Sequence, residues 1–196
     1  LVGSEMCIRD SIRRIFTTGF RSEWKNTMES QLLAISPKAK LLSVDYGKNP
    51  KDYQAAPIKI TFRYEIPDYA LKGEKEMFFR PLVMNNLYNQ VRSYMWIDTS
   101  VENRKYGFKD GCSRLVELDE TIQLPAGYKL ASAAKDETMQ GVGADFEGSL
   151  VQKGNKVLLH NRLALKKRVY EASDWESFRN AVNAHKAYGE YLVIKK

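Results

Sequence analysis

The sequence predicts a mainly β fold: an antiparallel β-sandwich with accessory helices near the N-terminus and before the last strand. Three observations support this prediction. Stretches of alternating polarity recur along the 196-residue chain, turn residues separate them, and helical spacing is confined to two segments. About nine strands follow one another without the alternating helices that a parallel sheet requires, so antiparallel pairing is expected.

The first predicted element is an amphipathic helix in SEWKNTMESQLLAIS. Its apolar residues recur at spacings of four, four and three and share one face, namely Trp24, Met28, Leu32 and Ile35. Ser22 is placed to cap the amino end, and Pro37 to end the helix.

Two strands are predicted next, in KLLSVDY and IKITFRYEI. In the second, apolar residues alternate strictly with polar ones from Ile58 to Ile66, which is typical of a strand with one buried face. LKGEK then provides a turn, and EMFFRPLV is predicted as the returning strand. SYMWIDTS is a candidate for a further strand.

The following segment contains Cys112 at the mouth of a turn formed by Lys109, Asp110 and Gly111. A strand comes after it, with Val116, Leu118, Ile122 and Leu124 on one face. Pro125 and Gly127 should end that strand.

The C-terminal third has the clearest pattern. ADFEGSLVQ and KVLLHNRLALKK flank Lys153, Gly154 and Asn155, which predicts a hairpin. Alternate residues of its second strand should face inward, with Asn161 as one polar interruption and His160 on the outer face. The inward set is Val157, Leu159, Asn161, Leu163 and Leu165.

The last two predicted elements are a helix and a strand. A capping box of Ser173 and Glu176 is expected to open a helix that ends at Gly189, with Trp175, Phe178, Val182 and His185 along one side. EYLVIKK, apolar on both faces, should be a strand paired on both edges or covered.

The predicted organisation has three parts. Residues 1–19 are expected to be a non-native or unstructured leader. Their first ten residues, LVGSEMCIRD, have neither the helical nor the strand periodicity of apolar residues and look like translated adapter sequence from a fragmentary assembly. Residues 20–90 form a helix and strands linking to a missing upstream core. Residues 91–196 are expected to form the C-terminal sandwich, and the sequence leaves open whether residues 38–82 are continuous with it.

Composition argues against several classes of function. The chain carries 31 Lys and Arg against 24 Asp and Glu, a net charge of +7, but the densest basic cluster is only Lys166 to Arg168. A solvated basic face is therefore favoured over a nucleic-acid site. No apolar stretch approaches the length of a membrane span, and two cysteines without metal-ligand spacing suggest neither a structural metal nor a cofactor.

Cys112 is the one candidate nucleophile, with His160 or His185 as its base. His160 is expected on an outer strand face, and His185 continues the apolar side of a helix, where a half-buried packing role is the commoner one. Nothing beside Cys112 would lower its pKa. A bystander thiol is favoured, and no catalytic residue is assigned.

Acid–base chemistry through carboxylates is also unsupported. Glu117 and Asp119 share an exposed strand face, and Glu120 lies on the apolar face, where a partner such as Arg114 or Arg162 is expected. The remaining acidic candidates are expected in a polar, solvated loop, namely Asp136, Glu137 and Asp145.

Most aromatic residues fall at buried positions of helices and strands, so core packing explains them better than a sugar-binding platform. Tyr53, Tyr69 and Tyr88 lie in predicted loops and are the candidates for a binding surface. A surface formed by these tyrosines would support an alternative hypothesis, that the chain is a stand-alone adhesion or glycan-binding domain.

Several segments together resemble the C-terminal region, a domain of unknown function, of bacterial transglutaminase-like proteins. They are ITFRYEIPDYALKGEKEMFF, ENRKYGF followed by ETIQLPAGYKL, and YEASDWESFRNAV leading into EYLVIKK. The likeness extends from about Phe20 to Lys196. It includes a Leu-Pro-x-Gly-Tyr turn and an R-x-Y-x-F segment of Arg104, Tyr106 and Phe108, with Gly107 where similar proteins commonly have proline.

The resemblance implies an accessory, non-catalytic module. In such proteins the cysteine, histidine and aspartate of the core lie upstream, and no matching motif stands in this sequence, so Cys112 is expected to occupy an accessory-domain turn. The implied partner is the upstream transglutaminase-like core of the same polypeptide, together with a possible envelope protein or glycan. The implied setting is periplasmic or at the cell surface.

Overall fold

The computed structural model describes residues 24–45, 61–82, 96–111 and 113–196. The chain divides into two compact units, residues 1–69 and 70–196. Twelve strands and two α-helices lie within the described ranges. All of the pairings between these strands are antiparallel, which confirms the mainly β, antiparallel prediction.

The described part of the first unit is a helix followed by a two-stranded ribbon. Helix α1 spans Trp24–Ile35, strand β1 spans Lys40–Asp45, and strand β2 spans Thr61–Glu65. Leu32 is buried at the centre of the predicted apolar side of α1. Strand β1 pairs with β2, with an irregularity between Leu41 and Ser43. The helix ends at Ile35, two residues before Pro37, as predicted, and Ser22, the predicted cap, lies outside the described residues.

The second unit contains the remaining elements. In chain order they are β3 (Leu71–Lys72), β4 (Glu76–Phe79), β5 (Phe108–Lys109), β6 (Arg114–Gln123), β7 (Lys129–Leu130), β8 (Lys135–Met139), β9 (Ala144–Lys153), β10 (Lys156–Leu165), β11 (Val169–Tyr170), α2 (Trp175–Ala187) and β12 (Leu192–Lys195). They form two four-stranded sheets, in the orders β6-β10-β9-β8 and β3-β4-β12-β7, and the short pair β11-β5.

Strand β10 forms the centre of the first sheet. It pairs along its whole length with β6 and β9, and Gly154, with φ of 61°, makes the predicted hairpin turn between β9 and β10. The alternation seen in the sequence sets which side is buried, because side chains of a strand point to opposite faces in turn. All five residues predicted to face inward are buried.

Helix α2 packs on the inner face of β9 and β10. Its apolar side supplies the residues that cover the sheet, among them Trp175, Phe178 and Val182, which are almost completely buried. The backbone of β9 is close beneath the helix: a Cβ on Gly148 would lie 2.6 Å from the ring of Tyr188. Only glycine therefore fits that strand position without displacing the tyrosine.

Three local predictions were wrong. EMFFRPLV returns against β3 and β12 rather than against β2, so the turn at Gly73 belongs to the β3-β4 pair. Within SYMWIDTS, residues 96–100 form no strand, since Trp96 lies in a helical turn and an irregular segment follows. Helix α2 begins one residue later than a cap at Ser173 implies, after a 3-10 turn over Ala172–Asp174 whose capping box is formed by Glu171 and Asp174 instead of Ser173 and Glu176.

Strand β12 is paired on both edges, with β4 and with β7. This confirms the prediction for EYLVIKK. The chain makes twelve strands in its described part instead of about nine because several, such as β3, β7 and β11, are only two residues long.

Candidate functional site

The outer face of the first sheet carries a row of three polar residues from adjacent strands. Asp119 of β6 and Ser149 of β9 are each in register with His160 of β10. His160 Nδ1 lies 2.7 Å from Asp119 Oδ1. Because an ionised carboxylate only accepts, Nδ1 carries a proton and Nε2 is the other nitrogen available. His160 lies on the outer face, as predicted.

This row does not form an activated nucleophile. Within the described residues, no hydrogen bond joins the Ser149 hydroxyl to His160, and the Asp119 side chain is 79% exposed. A shallow depression of about 330 Å³ lies over the row, lined also by Leu158 and Val151. A nucleophilic serine needs its base within hydrogen-bond reach and donors for the oxyanion, and the arrangement supplies only a hydrogen-bonded His–Asp pair.

The neighbouring charges on this sheet are paired across strands. Arg162 Nε donates to Glu117 at 3.2 Å on the outer face. Glu120 points inward, as its position on the apolar face predicted, and accepts the backbone N–H of Leu82 at 3.0 Å. The two arginines suggested as partners for Glu120 donate to other carboxylates. Arg162 donates to Glu117, and Arg114 donates to Asp110 at 3.1 Å.

The carboxylates expected in a solvated loop lie in strands. Asp136 and Glu137 belong to β8, and Asp145 belongs to β9. Asp145 accepts the N–H of Gly141 at 3.0 Å and lies 2.7 Å from Lys166 Nζ. Burial opposes the charge of Asp145, but these two hydrogen bonds outweigh it and lower its pKa. That earlier expectation of a polar loop is wrong because the strands continue further than turn composition suggested.

The basic cluster at Lys166 to Arg168 is partly occupied by ion pairs. Lys166 pairs with Asp145, and Lys167 donates to the buried Asp174 at 2.7 Å. Asp174 also accepts the N–H of Glu171, and these hydrogen bonds together hold its pKa below the usual value. Lys167 therefore helps to fix the start of α2, and Lys166 is bound to β9.

His185 is fully buried, more deeply than the half-buried role expected of it, and its Nδ1 is hydrogen-bonded to Asn161 Oδ1. The polar interruption in β10 is thus the partner of the one histidine on the buried side of α2. This histidine is placed in the core, away from the outer face that holds His160. Cys112, its proposed nucleophilic partner, lies outside the described residues.

Among the tyrosines proposed as a binding surface, Tyr53 and Tyr88 lie outside the described residues. Tyr69 is half-buried in the first unit. The exposed aromatic side chains of the second unit lie elsewhere: Trp96 is 76% exposed and Tyr106 is 73% exposed. Only Tyr69 of the three lies within the described residues, so the tyrosine surface stays a prediction.

The R-x-Y-x-F segment lies in a strap, residues 96–107, that runs along α2 before entering β5. The strap is held by side chains of the helix: Trp175 Nε1 donates to Val101 O and Arg179 Nε donates to Thr99 O, both at 2.9 Å. Phe108 stacks on Tyr170, with ring centres 4.7 Å apart. Sequence reasoning treated the motif as a family signature and missed its role, because Arg104, Tyr106 and Phe108 follow no regular pattern of burial.

Gly107 is required by the same packing. A Cβ at this position would lie 2.5 Å from the carbonyl oxygen of Tyr170. The strap therefore approaches β11 closely at the residue where similar proteins were expected to have proline.

Metal and membrane sites find no support in the described ranges. No group of three or more His, Cys, Asp or Glu there could hold a metal ion. In the same ranges, neither helix has the length and apolar character needed to cross a bilayer.

Comparison with known proteins places the fold. A model of the family described as a domain of unknown function with solved structure, DUF3858, matches residues 75–193. The chain is also similar in fold to the crystal structure of a candidate protease from Parabacteroides distasonis ATCC 8503, with a TM-score of 0.51 and 11% sequence identity. The similarity covers 63% of this chain and 24% of that one, so this chain spans about a quarter of the length of that protein.

The comparison with curated proteins found no match. The family match covers more than half of the chain and includes the first sheet, α2 and the second sheet without β3 and the end of β12. The chain therefore belongs to the DUF3858 family of domains of unknown function.

Proposed function

We propose that this chain is a non-catalytic C-terminal β-sandwich module of a transglutaminase-like, cysteine-dependent cell-envelope protein. The main support for the proposal is that titratable side chains of the second unit form hydrogen bonds that stabilise the fold. Asp174, Asp145 and His185 stabilise turns or the core through hydrogen bonds, and the exposed His160 pairs with Asp119 without a nucleophile bonded to it. A site for acyl transfer needs such groups free to meet a substrate.

Two further findings support the proposal that the chain is a module of a larger protein. The family is defined as a domain, and the similar structure described as a candidate protease is about four times as long as the part that this fold matches. The activity would then belong to a Cys, His and Asp core elsewhere in the polypeptide, in the periplasm or at the cell surface. The module would pack on that core or present substrate to it.

An assay of the purified chain tests the proposal. We expect no transfer of an acyl group from a glutamine peptide to a primary amine, and no hydrolysis of the same peptide, above the uncatalysed rate. A matched preparation carrying His160→Ala (H160A) should give the same trace. Turnover by the chain that disappears in H160A or in Cys112→Ala would contradict the proposal.

A further inference from the structure

The guanidinium of Arg104 in the strap has its flat faces covered but its donors unused. Its Cζ lies 4.3 Å from the ring centre of Trp175 and 4.8 Å from that of Phe108. The Nε–H is buried without a hydrogen-bond partner. Within the described residues no carboxylate lies within salt-bridge distance of it. Arginine presents five donors, and a half-buried arginine that uses none of them lacks its expected oxyanion.

The position of Arg104 is fixed by the helix. The strap on either side of it is anchored through Val101 to Trp175 and through the Phe108 ring to Tyr170 and Phe178. Arg104 as a residue is only half-buried, and of its three nitrogens only Nε is a buried atom without a partner. A guanidinium held by two aromatic rings loses little conformational entropy when it binds, which favours recognition by its planar end.

The charges around Arg104 favour an anion. Lys105 is the next residue, and Arg179 and Lys186 of α2 reach the strap at Thr99. Burial lowers the pKa of Lys186, and the charge of Asp98 opposes that shift. Asp98 itself accepts hydrogen bonds from the hydroxyl and the amide of Ser100. Asp98 also interacts with the charge of Arg104. The strap and the adjoining side chains of α2 thus bring four cations, Arg104, Lys105, Arg179 and Lys186, against the two acidic residues of the strap, Asp98 and Glu102.

The same surface offers apolar contacts. Tyr106 is 73% exposed and Val101 is 41% exposed, on the strap to either side of Arg104. Arginine and exposed aromatic side chains together are characteristic of the energetic centre of protein interfaces. A small free anion would use the charge of Arg104 but not these side chains.

We propose that the Arg104 strap is a docking site for an acidic polypeptide segment, with the end of the guanidinium binding one Asp or Glu carboxylate and Tyr106 and Val101 packing on the residues beside it. Charge complementarity and the unused planar donor pair support this occupant. The inference rests on the proposed function in that the segment would belong to the protein that the module serves.

Nuclear magnetic resonance of the ¹⁵N-labelled chain tests the site directly. The probe is acetyl-Gly-Asp-Phe-Glu-Gly-amide, and its control is the same peptide with Asn and Gln in place of the two acids. We expect the acidic peptide to shift the Arg104 Nε–Hε and Trp175 indole signals saturably, and the neutral peptide to leave them unchanged. Because the contact is charge-assisted, added salt should weaken it.

Variants of Arg104 distinguish binding by its planar pair of N–H donors from binding by positive charge alone. Arg104→Lys keeps the cation but loses the planar donor pair, so we expect the Kd for the acidic peptide to rise at least about tenfold. Lys129→Gln, an exposed cation on β7, is the matched control and should bind as the parent does. Should Arg104→Lys fold poorly, the titration of the unchanged chain still decides the question.

Three outcomes would overturn the inference: shifts that cluster away from the strap, equal binding by Arg104→Lys, or acetate alone binding as tightly as the peptide. The last would indicate a free-anion site. None of them bears on the proposed function, whose own test is the absence of turnover by the chain.

Discussion

The imidazole of His185 on α2 is hydrogen-bonded through Nδ1 to the side-chain oxygen of Asn161 at the middle of β10, and both residues are fully buried. This contact joins the helix to the central strand of the first sheet. It also accounts for the single polar residue among the inward side chains of β10, since a buried polar group is retained when it has a partner.

Removing either side of this hydrogen bond should destabilise the second unit. We expect Asn161→Leu and His185→Leu each to lower the free energy of unfolding by about 1–3 kcal/mol, because the remaining partner loses a hydrogen bond in the core. The double variant should cost less than the two single changes together. Urea unfolding of the four proteins measures this coupling, with the exposed Asn180→Leu as control. Strict additivity would show that the pair is not coupled.

The close approach of α2 to the sheet makes a second prediction at Gly148. An added Cβ there would lie 2.6 Å from the rings of both Phe146 and Tyr188. Overpacking of this kind displaces side chains from their preferred rotamers, so Gly148→Ala should lower stability by about 1–3 kcal/mol. Gly73→Ala is the matched control, since its Cβ would meet only Glu76 O at 3.5 Å. Equal thermal midpoints for the two variants would show that the ring contact can relax freely.

Local alternation explains why much of the sheet could be predicted. In β10 the period of two assigns each side chain to a face without knowledge of its partners, and the burial of Val157 and Leu163 follows directly. The Asn161 interruption and the position of His185 were visible in the same way. Their hydrogen bond was not predictable, because it depends on how far α2 is shifted along the sheet.

Pairing between strands that are far apart in the sequence could not be predicted. The strand at Glu76–Phe79 has the composition of a hairpin partner for β2, but it pairs with β12, more than a hundred residues away. The strap has no regular period, because its order comes from side chains of α2 such as Trp175 and Arg179 instead of a strand ladder. Arg104 therefore had no sequence signal that would distinguish it from the other surface arginines.

The entry of α2 should make stability depend on acidic pH. Hydrogen bonds from Lys167 and from the amide of Glu171 lower the pKa of Asp174 below its ordinary value of 3.8. A group whose pKa is depressed by folding contributes stability above its unfolded pKa, and that contribution disappears as the pH falls through the folded pKa. The stability difference between the parent and Asp174→Asn should therefore be full near neutrality and shrink between about pH 5 and pH 2. A difference that stays constant with pH in urea titrations would exclude Asp174 as the source.

The aromatic cluster beneath the strap should respond to alkaline pH in the opposite sense. Burial raises the pKa of Tyr170 to about 12, the negative charges of Asp110 and Asp174 act in the same direction, and the hydrogen bond from the Lys167 amide opposes them. Because the neutral phenol is favoured in the folded state, its contribution to stability is complete below the ordinary pKa of 10.0 and is lost as the pH rises through about 12.

Absorbance of tyrosinate follows this titration. Burial raises the pKa of Tyr188 to about 12 as well, so we expect these two tyrosines to ionise later than exposed ones such as Tyr106, and together with alkaline unfolding. Tyr170→Phe keeps the ring stacked 4.7 Å from Phe108 and removes only the hydroxyl. The late step should then lose one tyrosine and the variant should unfold at higher pH, whereas an unchanged late step would show that the hydroxyl of Tyr170 meets solvent in the folded protein.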